Sequence, residues 1–386
     1  MSSTARIRNH GLPDEIASLL ICTIAVTIYP IAGTVLIAYW AGLGARTTFL
    51  NATVYIITAI LVAAFYLRNF GVDLGESAKD DVPSYVYWYD YICNLKLSEI
   101  PSQIFSLSFS EPIYIVLSYL IGIFSGGDEK VFIFVNYLLS IGLFVFACRR
   151  IFSSYFVLIL LLILCFFDQY VYQTFHIFRQ SLGCSIAMLG LSYRVDGNSR
   201  RGTVFLVVAS LIHYYFLVYL VAVFGYELAG RSKQKTVVSI IIVSVLIGIA
   251  RNILPAHYGE IIRSGDLYQN IMVLGALLNI YLFFKINSNS IGGLIYTLII
   301  SSLFQIGFAN YFSVTGRSFI CHAILSIVTY GLIFCESKVF PRSLKLGIIS
   351  SLCAVFIFIS THETSRFLFY GKDLLSVNIF WLVSLL

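Results

Sequence analysis

Apolar stretches separated by short polar runs repeat along most of the chain. They fall at residues 17–41, 48–67, 131–148, 151–167, 181–193, 236–250, 268–284, 291–309, 318–335 and 346–360. Runs near twenty apolar residues predict helices crossing a hydrocarbon core of about 30 Å. The helix is imposed because backbone N–H and C=O groups find no water inside lipid. Three stretches depart from that length. Residues 112–125 and 374–386 are short, and 203–228 is long with His213 in its middle. A short apolar stretch favours a re-entrant or interfacial segment over a crossing.

Composition strengthens this reading. Hydrophobic residues make up 59% of the chain and charged residues 11%, with mean hydropathy +0.89. A soluble domain is about a quarter charged, so this chain lacks the polar groups to cover a water-facing surface. Disordered tails and secreted disulfide scaffolds are excluded. The net charge of +6 is spread thinly, with no basic stripe for a nucleic acid. The expected fold is an all-α polytopic membrane protein, one integral domain over 1–386. It has about 10–13 transmembrane or re-entrant helices and a polar cavity facing the extracytoplasmic side.

Orientation follows from Lys and Arg in short loops. With Arg149 and Arg150 cytoplasmic, the loops on that side collect 13 basic residues against Asp196, Glu227 and Glu336. The remaining 12 basic and 16 acidic residues fall on the other side. This assignment makes 112–125 dip in and return outward, and it makes 203–228 a hairpin. A single crossing at 203–228 would put Arg231, Lys233 and Lys235 outside. Asp14 and Glu15 precede the first apolar stretch, which is too long for a signal h-region, so no cleavable leader is expected. Of eight cysteines only Cys93 falls clearly in an outer loop, and no CxxC or HExxH occurs. Neither a disulfide framework nor a metal site is expected.

Unusual polar groups concentrate at the outer helix ends. In the first, a helix beginning near Thr174 would place His176, Arg179 and Gln180 on one face. Arginine offers a planar fork suited to phosphate, and a helix start adds partial positive charge. Ser181, Gly183, Cys184, Ala187 and Gly190 then permit close backbone packing. The alternative is an Arg179 that snorkels to lipid headgroups. The second group is His213-Tyr214-Tyr215, where the histidine is either a packing residue or a general base. The third lies in the outer loop 68–110, an amphipathic and aromatic segment with Asp80 and Asp81. Asp81, Tyr85 and Tyr89 follow at i, i+4, i+8, a helical face that could stack on sugar rings or join an interfacial aromatic belt. Glu111, heading the segment 112–125, belongs with this group. The fourth is Asn310 to Ser318, with Arg317 at a helix start as a second clamp for phosphate.

These residues resemble a known family. Asp81-x3-Tyr85, then Glu111-Pro112, then Phe178-Arg179-Gln180-Ser-Leu-Gly, then Ala209-x3-His213 are similar to the EpsG/Wzy family of bacterial repeat-unit polymerases. Members build O-antigen, capsule or exopolysaccharide. The resemblance runs in order over roughly 45–335. Two positions depart: the family commonly has Gly-Thr-Asp-Tyr where this chain has Lys79-Asp80-Asp81-Val82, and Asn where this chain has His176.

The resemblance implies a GT-C-like bundle in the bacterial inner membrane, active toward the periplasm. A growing glycan on undecaprenyl diphosphate would pass to a hydroxyl of a second lipid-linked repeat unit. No cofactor or metal is expected. Implied partners are the two lipid-linked substrates, with a chain-length regulator and a flippase of the same pathway. The expected catalytic set is His213, Arg179, Asp81 and Glu111, and the binding set is Arg317, Gln180, His176, Asp80, Tyr85, Tyr89 and Tyr214. The rival readings are another lipid-linked glycan transferase, such as an O-antigen ligase, and a flippase. A flippase would favour internal repeats, and the four polar groups are unlike one another.

Overall fold

The computed structural model describes residues 47–66, 81–106, 111–165, 174, 177–230, 232–253, 266–286, 289–308 and 312–336. The apolar stretches at 17–41, 346–360 and 374–386 lie outside them, as do Asp80 and His176. The described residues form α-helices and one 3-10 turn, with no strand among them. In chain order the helices are α1 (Thr47–Tyr66), α2 (Val82–Cys93), α3 (Ile100–Ser106), α4 (Pro112–Ser125) and α5 (Glu129–Ile151). Next come α6 (Ser154–Cys165), α7 (Phe178–Val195), α8 (Ser199–Ile212), the turn Tyr214–Phe216 and α9 (Leu217–Leu228). Last come α10 (Lys233–Ile253), α11 (Asp266–Lys285), α12 (Asn289–Gly307) and α13 (Phe312–Glu336).

By length and hydropathy together, α5 alone among the described helices passes as a clear membrane span. Shorter apolar helices run over Asn51–Ala63, Pro112–Ser125, Tyr214–Leu228, Met272–Lys285, Ile291–Gly307 and Ser318–Phe334. The described residues thus hold one clear span candidate and several shorter apolar helices, against the 10–13 transmembrane or re-entrant helices expected of the whole chain. Polar residues interrupt the apolar runs, and several elements are broken into half-length pieces.

α7 is the central element. It is buried from Gln180 to Ser192 and packs most closely against α5 and α8. Phe178 meets Phe132 and Tyr137, Ser185 Oγ donates to the Ser140 carbonyl at 2.6 Å, and Arg150 lies over the Tyr193 ring at 3.7 Å. The numbering rises together on both helices, so α5 and α7 are parallel. α8 returns antiparallel along a seam of glycine. A Cβ on Gly190 would come within 2.8 Å of the Gly202 carbonyl oxygen, and one on Gly183 within 2.5 Å of the Phe216 ring. The small residues of α7 thus serve the close packing expected of them.

The stretch 203–228 turns back on itself. Arg194, at the end of α7, donates to the Ser199 carbonyl at 3.3 Å and to Thr203 Oγ1 at 3.0 Å, and also pairs with Glu227 at the end of α9. Both ends of the stretch therefore meet one side chain. α8 and α9 are half-length helices with His213 at the turn between them, about 21 and 18 Å long at 1.5 Å per residue. That is the hairpin the charge distribution requires.

The segment before α5 behaves similarly. Tyr85 meets Tyr114, and a Cβ on Gly122 would meet Cys93, so α2 and α4 run parallel. Tyr114 OH donates to Asn136 Oδ1 at 3.2 Å, well inside α5. α4 then climbs to Gly126 and Gly127, both in left-handed conformation, before Asp128 caps α5 through Lys130 N and Val131 N. Its first residue thus lies deeper in the bundle than its last.

Candidate active site

Where α2, α4 and α7 converge, Glu111 stands immediately before α4 and Arg179 sits in the first turn of α7. Glu111 Oε2 accepts from Arg179 Nη1 at 2.6 Å, and the two side chains are only 9% and 13% exposed. Arg179 Nε also reaches the Tyr85 hydroxyl at 3.5 Å, and its guanidinium carbon lies 5.4 Å from the Tyr85 ring centre. Tyr85 is in turn stacked on Phe178 at 5.4 Å. The chain folds this way because Pro112 suits a helix start and Glu111 makes no cap bond to its own helix, leaving its carboxylate to Arg179.

Tyr85, Glu111 and Arg179 line a small open cleft together with Trp88, Tyr89, Ile92, Tyr114, Ile115 and Ser118. The surface open to this space is almost wholly apolar, and the Arg179 and Glu111 charges in its wall are turned toward each other. Among the described residues, no cluster of His, Cys, Asp or Glu could hold a metal ion.

α7 begins at Phe178, four residues later than the expected start near Thr174. Arg179 and Gln180 therefore occupy the helix entrance, where backbone N–H groups lack intrahelical partners. His176, the third member of the anticipated face with Arg179 and Gln180, lies outside the described residues. Gln180 is fully buried and turns away from the cleft, donating from Nε2 to Cys321 Sγ at 3.2 Å. Arg317 falls on α13, one turn before that same Cys321, and its side chain is not among those described.

The aromatic face of α2 is also redirected. Asp81 stands at the N-cap, and Tyr85 and Tyr89 follow on one face as the spacing predicts. That face is buried against protein: Tyr89 is 1% exposed and stacks on Phe132 at 4.2 Å. Burial pushes its phenol up to about 12, so it stays neutral at physiological pH. The rings that face outward are Tyr87 and Tyr91, joined edge-to-face through Trp88.

His213 is placed by the glycine seam. A Cβ on Gly183, one turn along α7 from Arg179, would lie 3.4 Å from His213 Cβ. His213 ends α8, and its Nδ1 accepts from the Tyr215 amide at 3.3 Å. A neutral ring that accepts at Nδ1 carries its proton on Nε2. Tyr214 beside it is exposed.

A second polar cluster lies beneath the His213 turn. Tyr215 OH and Ser301 Oγ are 2.8 Å apart, and Ser301 Oγ lies 2.9 Å from His322 Nδ1. Gln305 Nε2 donates to Ser318 Oγ at 2.7 Å, and Tyr219 OH donates to the Cys321 carbonyl at 3.0 Å. Sequence reasoning passed over His322, Ser301 and Gln305, and took in Ser318 only as the end of the fourth polar group. The available signal was their polarity within apolar spans, where such residues are rare and usually functional.

All-helical architecture and recurrent apolar helices fit a helical membrane protein. A family model described as the EpsG family matches residues 51–371, and the chain belongs to that family. Membership points to polysaccharide repeat-unit polymerisation as its general role. No curated protein and no solved structure matches the chain.

Proposed function

We propose that the protein joins lipid-linked repeat units on the extracytoplasmic side of the bacterial inner membrane. A glycan held on undecaprenyl diphosphate is transferred to a hydroxyl of a second lipid-linked unit. The observation that carries this reading is the buried Arg179–Glu111 pair, set in an open cleft at the entrance of α7. Removing two charges from water costs several kcal/mol each, so a buried pair is a poor device for stability alone. Here it supplies both functions that the chemistry demands.

A C–O bond forms between the acceptor oxygen and the donor's anomeric carbon. The bond from that carbon to the diphosphate breaks, its electrons passing to the leaving oxygen. The hydroxyl proton goes to a carboxylate. In the resting pair, Arg179 holds Glu111 too firmly for the carboxylate to act as a base. The arriving diphosphate offers the fork a stronger bidentate partner, takes the place of the carboxylate and leaves Glu111 beside the acceptor. Arg317 adds a second cation, and the helix entrance stabilises the charge that grows on the leaving group. With two arginines in these roles the reading needs no metal. His213, with Nε2 protonated, donates to a sugar or phosphate oxygen, and the base is assigned to Glu111. Asp81, the N-cap of α2 one turn before Tyr85, is not among the residues lining the cleft.

The test is a deletion strain complemented with wild type or with Arg179→Ala. The variant is expected to lose long-chain glycan and keep the single-unit product. A wild-type ladder from Arg179→Ala overturns the assignment, and loss of even the single-unit product points to a ligase.

A further inference from the structure

The cluster beneath the His213 turn is distinct from the Arg179–Glu111 cleft, and the chemistry above does not use it. It joins three elements remote in sequence: the 3-10 turn, α12 and α13. Tyr215, Ser301 and His322 form an unbroken line of side-chain contacts at 2.8 and 2.9 Å. Tyr215 is 7% exposed, His322 5%, and Ser301 fully buried. Polar side chains in the middle of apolar helices are costly, and a set that spans three elements fixes those elements relative to one another.

We infer that Tyr215, Ser301 and His322 are positioning residues for the transfer reaction, holding the His213 turn against the entrance of α7. The inference rests on the proposed transfer and adds residues that the cleft itself does not contain. Two observations connect the cluster to the site. The Tyr215 amide donates to His213 Nδ1, so anchoring Tyr215 through its hydroxyl sets the tautomer and orientation of His213. Cys321, next to His322 on α13, receives Gln180, the neighbour of Arg179. α13 therefore grips both the His213 turn and the helix entrance. The link to His213 runs through a backbone amide and not through the Tyr215 hydroxyl, so the line carries no proton. It acts by geometry, where a misplacement of about 1 Å costs up to roughly a hundred-fold in rate.

The alternative is that the cluster packs the bundle and nothing more. The two are separated by turnover and KM of the purified full-length protein in lipid nanodiscs. The substrates are the host's own lipid-linked repeat units, and melting temperature is followed in parallel. Tyr215→Phe and Ser301→Ala are each expected to lower turnover about ten-fold or more with KM unchanged. The double variant should be no worse than the poorer single one, because both break the same line. His322→Asn, which returns an acceptor near the Nδ1 position, should recover most of the activity lost in His322→Leu. The inference is overturned if the single losses multiply in the double variant, if turnover falls only with melting temperature, or if His322→Asn is as impaired as His322→Leu. Near-wild-type turnover in all variants also overturns it. A wild-type protein that links no units overturns the proposed function itself, so the two failures are told apart.

Discussion

Each end of the helical bundle pairs an arginine with a carboxylate, in different surroundings. At one end Arg194 meets Glu227 and Arg150 meets Asp196, with the carboxylates 40% and 38% exposed. At the other, Arg179 meets Glu111 with both partners nearly buried. The exposed pairs close turns: Arg194 ties α7, α8 and α9 together, and Arg150 ties the end of α5 to the turn after α7. Their carboxylates keep more than a third of their exposure, so each pair is worth about 0–1 kcal/mol. The buried pair closes no turn and opens onto a cleft. In the proposed transfer, the chemical couple that fastens turns where water reaches it becomes the reactive centre where water is restricted.

That contrast is open to direct attack. The largest effect is expected from Arg179→Lys, which keeps the charge and loses the fork. Chain extension should fall by about a hundred-fold or more, measured as turnover on lipid-linked units. A loss no larger than that of Glu227→Gln would erase the distinction between the two ends. Glu111→Gln should separate binding from chemistry. Transfer falls by about a hundred-fold or more, while inorganic pyrophosphate binds more tightly by calorimetry because Arg179 no longer has to give up a carboxylate. Weaker pyrophosphate binding by Glu111→Gln would refute the exchange of partners at Arg179.

Smaller effects follow from the packing between the ends. Gly190→Ala places a Cβ 2.8 Å from the Gly202 carbonyl oxygen and should destabilise the α7–α8 seam by about 1–3 kcal/mol, read as a lower melting temperature. Gly183→Ala, 2.5 Å from the Phe216 ring, should disturb activity more than stability because Phe216 belongs to the His213 turn. The smallest change is expected for Glu227→Gln, within about 1 kcal/mol in stability and with unaltered glycan length. A cysteine replacing Lys233 should label from the cytoplasmic side, and labelling from outside would reverse the second half of the topology.

Much of this was readable from local pattern. The apolar runs at 48–67, 131–148 and 181–193 lie within a few residues of α1, α5 and α7, because lipid-length hydrophobicity leaves a helix as the available structure. The hairpin at 203–228 followed from the charges of Arg231, Lys233 and Lys235, since moving them outward is opposed. Arg179 and Glu111 were each selected as unusual charges at helix entrances. Their pairing was not readable, for 68 residues separate them. Nor was the inward burial of Tyr85 and Tyr89, since period alone gives a face without saying what covers it.

The amino-acid order by itself determined the apolar, all-helical character of this protein and the positions of most of its described helices. Those properties depend on transfer free energies and charges that add residue by residue. Only the tertiary structure decided that Glu111 neutralises Arg179, that His213 accepts at Nδ1, and that His322, Ser301 and Tyr215 form one line. Contacts between distant segments depend on close packing of particular surfaces, here the glycine seam of α7 and α8, and no local sum contains that information.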